Sequence, residues 1–538
     1  MKDDDIGRVV LAEHSRWVPV ARIRELREKD RMVVKIEKRQ IALFYRNDKI
    51  YACNNRCPHE GYPLTEGKLG GDCILTCNWH NWKFDLSSGK TVVGGDELTI
   101  YETRTEEGEI FVRIVPPDPV GVINKALRGL NQSFDQHEYD RMAREIARVI
   151  QAGGDPLDAV RQAIASTYQH FEFGTTHAVA ATADWLALVS DSATSLSRRL
   201  VALVESIGHF AWDARREGCH SYADGELDYD QSALIAAIEA EDEDRAVCLV
   251  RGAYAGGRCY RDIEPALAAS ALAHYQGFGH SLIYVYKTGQ LIERLRDQAT
   301  AVYLTLMLVR SLIYASREDL IPEFQAYHPT LRAWNGKGSN VPTLADLTTG
   351  RLARVLDAIS DGGGEVARTF EQIMRAAGWQ ILHYDMTCQD RTDGPVSQNT
   401  GWLDFTHTLT FGNAVRKLCG RYPDLWPQGL LQLGCFLGRN SSHVDVTIDE
   451  KDWAVDDGAV FLHRQLESLF DHGQPEYIVS CHLLKVLTAL SEDVREGDPS
   501  SALPLMLGGV NRFLHSPLKR KHALRTARQA LALVASEV

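Results

Sequence analysis

The stretch Cys57–Gly89, CPHEGYPLTEGKLGGDCILTCNWHNWKFDLSSG, decides the reading of the first part of this chain. It sets Cys57 beside His59 and, further on, Cys77 beside His80. Glycines and prolines punctuate the run from Cys57 to Gly95, so both pairs belong on loops. Two thiols and two imidazoles on two loops suggest one metal centre. That donor set suits zinc, or a [2Fe-2S] cluster in which two imidazoles replace two thiolates on one iron. A zinc finger would carry both histidines on one helix. Here each histidine stands next to its own cysteine.

Outward from that centre the texture is β-like. RMVVKIEKRQIALFYRNDKIYAC, residues 31–53, has short runs of β-branched and aromatic residues with a turn at Arg46-Asn47-Asp48. FVRIV at Phe111–Val115 alternates with period two, as a half-buried strand does. Pro116-Pro117-Asp118-Pro119 then breaks regular structure and reads as a linker. Beyond about residue 120 the texture is helical. TLADLTTGRLARVLDAISDG places its leucines, Val355 and Ile359 near one helix face, with Thr343 as N-cap and Gly362 as stop. ALIAAIEAEDEDRAVCLVRGAYAGG reads as two helices joined by an acidic turn, and HALRTARQALALVASEV as a last amphipathic helix. No fixed-period repeat marks a solenoid. The expected architecture is multidomain: a small all-β domain over 1–116, a linker and first helical segment over 117–150, and a large mostly α-helical domain over 151–538.

The 538 residues are roughly three to four domains' worth of chain at about 150 residues each. Lys+Arg 59 against Asp+Glu 72 gives a net charge of −13, which lacks the basic footprint of a nucleic-acid or anionic-membrane binder. Eleven cysteines, an odd number, are too few for a disulfide scaffold. The start, MKDDDIG, has no apolar core for a signal peptide, and the apolar stretch Ala301–Val309 is cut by Arg310. The expectation is a cytoplasmic protein with reduced thiols, with no nucleic acid and no membrane as partner.

CPHEGYPLTEG and CNWHNWKFDLSSG strongly resemble the two halves of the Rieske ferredoxin and Rieske oxygenase pattern, CPHxGxxLxxG and CPxHGWxFDxxxG. The resemblance implies that Cys57 and Cys77 bind one iron and His59 and His80 the other. Asn78 replaces the usual proline and Asn81 the usual glycine; neither is a ligand. Rieske proteins of respiratory complexes add a disulfide between the loops, whose positions fall at Tyr62 and Trp79 here, so it cannot form. Their hydroxyl donor to the cluster has no counterpart, because Trp82 occupies its region. The resemblance therefore implies a potential at the low end of the Rieske range, roughly −150 mV. Cys53 and Cys73 read as small buried hydrophobes.

Such a cluster moves single electrons, so the rest of the chain should use them. The Asp-x2-His-x4-His iron motif is absent, because no two of the nineteen histidines stand four or five apart, which also excludes His-Glu-x-x-His. A di-iron bundle needs two Glu-x-x-His pairs, and Glu217-x-x-His220 is one. No Gly-x-Gly-x-x-Gly follows a strand, so a flavin or nicotinamide domain is not expected. What remains are lone histidines in apolar helical runs: His177, His280, His407 and His482. Ligands pointing inward from several helices are how bundles build metal sites.

These segments resemble the questin oxidase-like proteins, which include fungal anthraquinone ring-opening oxygenases. The pieces are His177 before a long apolar helix, Gly279-His280, Asp404 to His407, and His482 to Lys485. The resemblance implies a mononuclear non-haem Fe(II) held by four histidines and a carboxylated lysine, here Lys485 with CO2 as its carbamate. His482 and Lys485 stand at i and i+3 and so share a helix face. Where the family has a second histidine after Gly-His, this chain has Tyr284. Tyr284 and Asp404 are the candidate catalytic groups, Asp404 as the acceptor that fixes the His407 tautomer. His170, His274 and His383 are reserve ligands. The expected function is a Rieske-dependent oxygenase acting with O2 on an aromatic, quinone-like substrate. Its electrons would come from a separate NAD(P)H-dependent reductase or ferredoxin, and a homo-oligomeric assembly is among the expectations. The alternative is an electron-transfer protein whose helical domain docks partners.

Overall fold

The computed structural model describes residues 15–495 and 501–537. The acidic start MKDDDIG lies outside them. The chain divides between Asp158 and Ala159 into two compact units.

In the first unit the strand Arg39–Arg46 is central. It pairs antiparallel with Arg31–Ile36 on one side and Lys49–Asn54 on the other. Its residues Ile41 to Phe44 are all buried, because the strand is covered on both faces. Ile41 and Leu43 join Ile110 and Val112 in one core, while Ala42 and Phe44 join Cys53, Cys57 and Cys77 in another. The period-two alternation of one strand thus supplies both cores. The turn at Asn47 and Asp48 has φ of 49° and 58°, as a tight hairpin with positive φ at both positions requires. A second sheet runs Lys68–Leu69, Ile74–Thr76, Lys83–Asp85 and Thr91–Val93, and a third pairs Glu109–Ile114 with Arg16–Arg22 and Thr103–Glu106. The Pro-Pro-Asp-Pro run ends as a helix start: Asp118 accepts from the N–H groups of Val120 and Gly121, and Pro119 opens Pro119–Phe134. That helix packs on Tyr139–Gln151, which is bound to the β-domain through Arg144 and Arg148 on the buried Asp96.

Helices build the described part of the second unit, whose β-pairing is limited to isolated bridges. The acidic turn separates Gln231–Glu239 from Glu243–Ala255, with Asp242 capping the second. The helix expected from Leu344 to Ile359 is two pieces, Leu344–Thr348 and Leu352–Asp361. Thr343 caps the first, and Gly350 and an extended Arg351 interrupt the run, since glycine is a poor helix interior residue. Arg310, which cuts the apolar run, is buried and donates to Glu243 at 2.8 Å. No helix among the described residues is long and apolar enough to cross a membrane. The last helix, Ala523–Ala535, has no buried residue. At the centre stand His177–Leu188, His280–Leu295, Trp402–Arg421 and Tyr477–Arg495, each packed on two of the others so that they close a ring.

Candidate metal centres

The two loops of the first unit share one construction. The Cys57 N–H donates to the Tyr62 carbonyl and the Gly61 N–H to the Cys57 carbonyl. The Cys77 N–H likewise donates to Trp82 and the Asn81 N–H to Cys77. Gly61 has φ +76° and Asn81 φ +60°. Asparagine is among the residues that tolerate this left-handed region, so Asn81 replaces glycine without breaking the loop. Asn78, in place of proline, donates Nδ2 to the Glu66 carbonyl at 2.6 Å and ties the second loop down through its side chain. Tyr62 and Trp79 stack at 5.6 Å, each on one of the two loops, and Trp82 stacks on His59 at 4.6 Å.

Cys57 and Cys77 are buried. Burial pushes the Cys57 thiol up to about 11, against backbone N–H groups of His59 and Glu60 aimed at its sulfur. His59 Nδ1 is buried without a hydrogen-bond partner, and the His59 and His80 rings stand 4.7 Å apart, edge to face. Two buried thiols, amide groups directed at sulfur and an orphaned imidazole nitrogen fit a [2Fe-2S] cluster. Cys53 is fully buried and its thiol pushed up to about 12, while Cys73 Sγ lies 3.4 Å from the Tyr51 hydroxyl; neither is bridged.

In the second unit the helix ring brings four imidazoles together, one from each helix. Nε2 of His280 lies 3.2 Å from that of His177 and 3.0 Å from that of His407, whose Nε2 lies 3.2 Å from that of His482. All four ligating atoms lie within 4.8 Å of one another. Each ring is aimed by its other nitrogen. His280 Nδ1 donates to the Gly277 carbonyl, His407 Nδ1 to Leu403 and His482 Nδ1 to Ile478, each at 2.5 Å. His177 Nδ1 faces the Tyr284 hydroxyl at 3.4 Å. With Nδ1 protonated, all four Nε2 lone pairs face one small space. Burial, and behind it the charge of Lys485, pushes His280 down to about 4 and His482 to about 3; His177 and His407 fall well below the usual range, chiefly through burial. Four neutral acceptors facing each other repel unless a cation lies between them. Imidazole–metal bonds of about 2.1 Å at right angles separate neighbouring nitrogens by about 3.0 Å, so the spacing fits one transition-metal ion.

The geometry has local causes. Thr176 caps the helix that opens with His177, its hydroxyl accepting from Ala178 N–H. Gly279 must precede His280: its φ is +79°, and a Cβ there would sit 2.7 Å from the Phe411 ring. Lys485 is fully buried, its Nζ has no hydrogen-bond partner among the described residues, and burial holds its pKa down.

Asp404 requires a correction. The expected hydrogen bond from His407 is absent; Asp404 accepts the Gly401 N–H at 2.7 Å. At the third position of its helix a carboxylate serves the helix start, and the Leu403 carbonyl one turn before His407 is the nearer acceptor. Of the reserve histidines, His274 is held between Asp319, Glu239 and Arg317, and His383 stacks on Trp379 and bonds its carbonyl. His170 is not among the converging imidazoles. Glu217 and His220 form a partly exposed pair at 3.7 Å.

Sequence reasoning missed a polar layer two turns along the same ring. Lys287 Nζ donates to Asp184 at 2.7 Å and lies 3.9 Å from Glu492, to which Asn413 donates at 3.0 Å. All four helices contribute one residue. The signal was present: Asp184 follows His177, and Lys287 follows His280, at the i, i+7 spacing of one helix face.

Comparison with known proteins agrees with the first unit. Residues 16–104 match the Rieske [2Fe-2S] domain family. The chain is 36% identical over 81 residues to the 3-phenylpropionate/cinnamic acid dioxygenase ferredoxin subunit of Escherichia coli K12, covering 15% of this chain and 76% of that protein. Among solved structures, the ferredoxin of carbazole 1,9a-dioxygenase from Nocardioides aromaticivorans IC177 is 21% identical with a TM-score of 0.18, covering 19% of this chain and 98% of that one. The terminal oxygenase of carbazole 1,9a-dioxygenase from Novosphingobium sp. KA1 is 22% identical with a TM-score of 0.19, covering 20% of this chain and 32% of that one. Through residues 16–104, with their paired Cys–His loops, this chain belongs to the Rieske [2Fe-2S] family.

Proposed function

We propose that the chain is a Rieske-dependent non-haem iron oxygenase: His177, His280, His407 and His482 hold one iron, Lys485 serves beside them as its carbamate, and Cys57, His59, Cys77 and His80 hold the cluster that supplies electrons. The observation that carries this reading is the convergence of four Nε2 atoms, each ring anchored through Nδ1. A bound Fe(II) would supply O2 activation. The residues supply the rest. Four neutral imidazoles leave the charge of the metal uncompensated. Burial lowers the Lys485 pKa and so favours its neutral, nucleophilic amine: R–NH2 + CO2 → R–NH–COO⁻ + H⁺. The anionic oxygen offsets metal charge and uses a group that otherwise has no partner. Hydroxylation of an aromatic substrate balances as R–H + O2 + 2e⁻ + 2H⁺ → R–OH + H2O, and a one-electron cluster delivers those electrons singly. The described sheets are antiparallel, without the parallel sheet of a nicotinamide domain, so a separate NAD(P)H-dependent reductase or ferredoxin feeds the cluster.

Iron analysis tests the reading. The full chain should hold three irons, and His482→Ala should hold two, with its Rieske electron-spin signal intact and its oxidation activity gone. Two irons in the unaltered chain would favour the other reading, an electron-transfer protein, which the ferredoxin-subunit relatives of residues 16–104 also support.

A further inference from the structure

A cavity of about 300 Å3 opens beside His482 in the second unit. Resting on the oxygenase reading for its role, the geometry points to this cavity as the binding site of an aromatic carboxylate of one or two rings, with Arg525 holding the carboxylate. Its size is at the lower end of ligand cavities, which suits one or two rings better than a large polycycle.

Part of its lining is apolar, from Leu403, Ile478, Val479 and Phe513, beside His482. Part is basic: Lys519, Arg520, His522 and Arg525 all line it. Two of these cations are engaged elsewhere, Lys519 with Asp390 at 3.0 Å and Arg520 with Gln474. Arg525 makes no hydrogen bond or ion pair with any described residue, and it is half-buried. Trp402 is buried and contributes to the same lining.

The backbone adds to this. Three helices begin on the cavity wall: Trp402–Arg421, Tyr477–Arg495 and Ala523–Ala535. Helix N-termini carry partial positive charge and unpaired N–H groups, so three of them around one space favour an anion. Two carboxyls also line the wall. Asp404 is engaged by Gly401 N–H, and Glu476 is exposed, leaving Arg525 with no carboxylate partner among the described residues.

The test is titration of the full chain, purified with its metals, with 2-naphthoate and its neutral isostere 2-naphthamide, followed by calorimetry. Naphthoate should bind at least tenfold more tightly. Arg525→Gln should weaken naphthoate about tenfold and naphthamide less than twofold; Arg525→Lys should restore most of the difference. An unchanged Rieske spectrum and melting temperature show that each variant is folded. Equal affinities, no naphthoate binding, or full naphthoate affinity in Arg525→Gln would overturn the proposal. Iron is counted separately in the same preparation. A chain with two irons that still selects naphthoate keeps the anion site and removes only the oxygenase reading.

Discussion

Tyr284→Phe separates a positioned imidazole from a merely nearby one. Three of the four converging rings are aimed by backbone carbonyls at 2.5 Å, which no side-chain substitution removes. His177 alone is aimed by a side chain, the Tyr284 hydroxyl at 3.4 Å. Phenylalanine keeps the buried ring and deletes that oxygen. His177 then loses the partner that holds its proton on Nδ1, and the tautomer with the proton on Nε2, aimed into the metal space, gains population. Groups that orient a ligating histidine contribute 10–100-fold in metal affinity. The long contact places this one at the low end, about tenfold or 1.4 kcal/mol. The assay is competition between the full chain and a ferrous chelator, with the Rieske electron-spin signal as internal standard for intact protein. The third iron should be lost at about one tenth of the wild-type chelator concentration, with the Rieske signal unchanged. An affinity within twofold of wild type would refute the positioning argument, and His177 would then be fixed by packing alone.

Cys57→Ala should abolish the Rieske signal, because each cluster iron has two protein ligands; a retained signal would overturn the ligand assignment. Asp96→Ala should destabilise the first unit by about 3 kcal/mol, since it strands the partly solvated Arg144 and leaves Arg148 with Glu145 alone. Burial alone would raise the Asp96 carboxyl, but Arg148 and Arg144 outweigh it and hold it low. This stabilisation is therefore present above the ordinary carboxylate range and fades as pH falls below it, which melting curves followed at the cluster absorbance would show. Asp493 is the opposite case: burial, only partly offset by Arg416, pushes it up from 3.8 to about 6. Its contribution is present at low pH and is lost as pH rises through about 6. Wild type and Asp493→Asn should diverge by about 2 kcal/mol between pH 4.5 and 8, read from denaturant melts; parallel curves would show the carboxyl ionises normally.

The first centre was legible because it is local. Each loop closes within six residues through its own backbone hydrogen bonds, so ligand types, spacing and turn residues lie together in the text. The helices were legible from their apolar period; Thr343 and Gly362 marked two of their ends and an acidic turn separated two more. One break was missed where Gly350 interrupts an otherwise continuous period. Lone histidines in apolar runs were visible too, but a lone histidine looks the same whether it meets three others or one carbonyl. The contacts that distinguish these outcomes join residues 75, 103 and 127 positions apart. Only the closed ring of four helices decided that His177, His280, His407 and His482 share one space. Packing also sent His274 to a cluster of carboxylates and Arg317, and His383 to Trp379. The same holds for Asp404, taken by its own helix start, and for the cavity on which three distant helix starts converge. The physical reason is that local hydrogen bonding and periodicity are written in neighbouring residues, whereas a ring's direction depends on which nitrogen is held and which helices surround it.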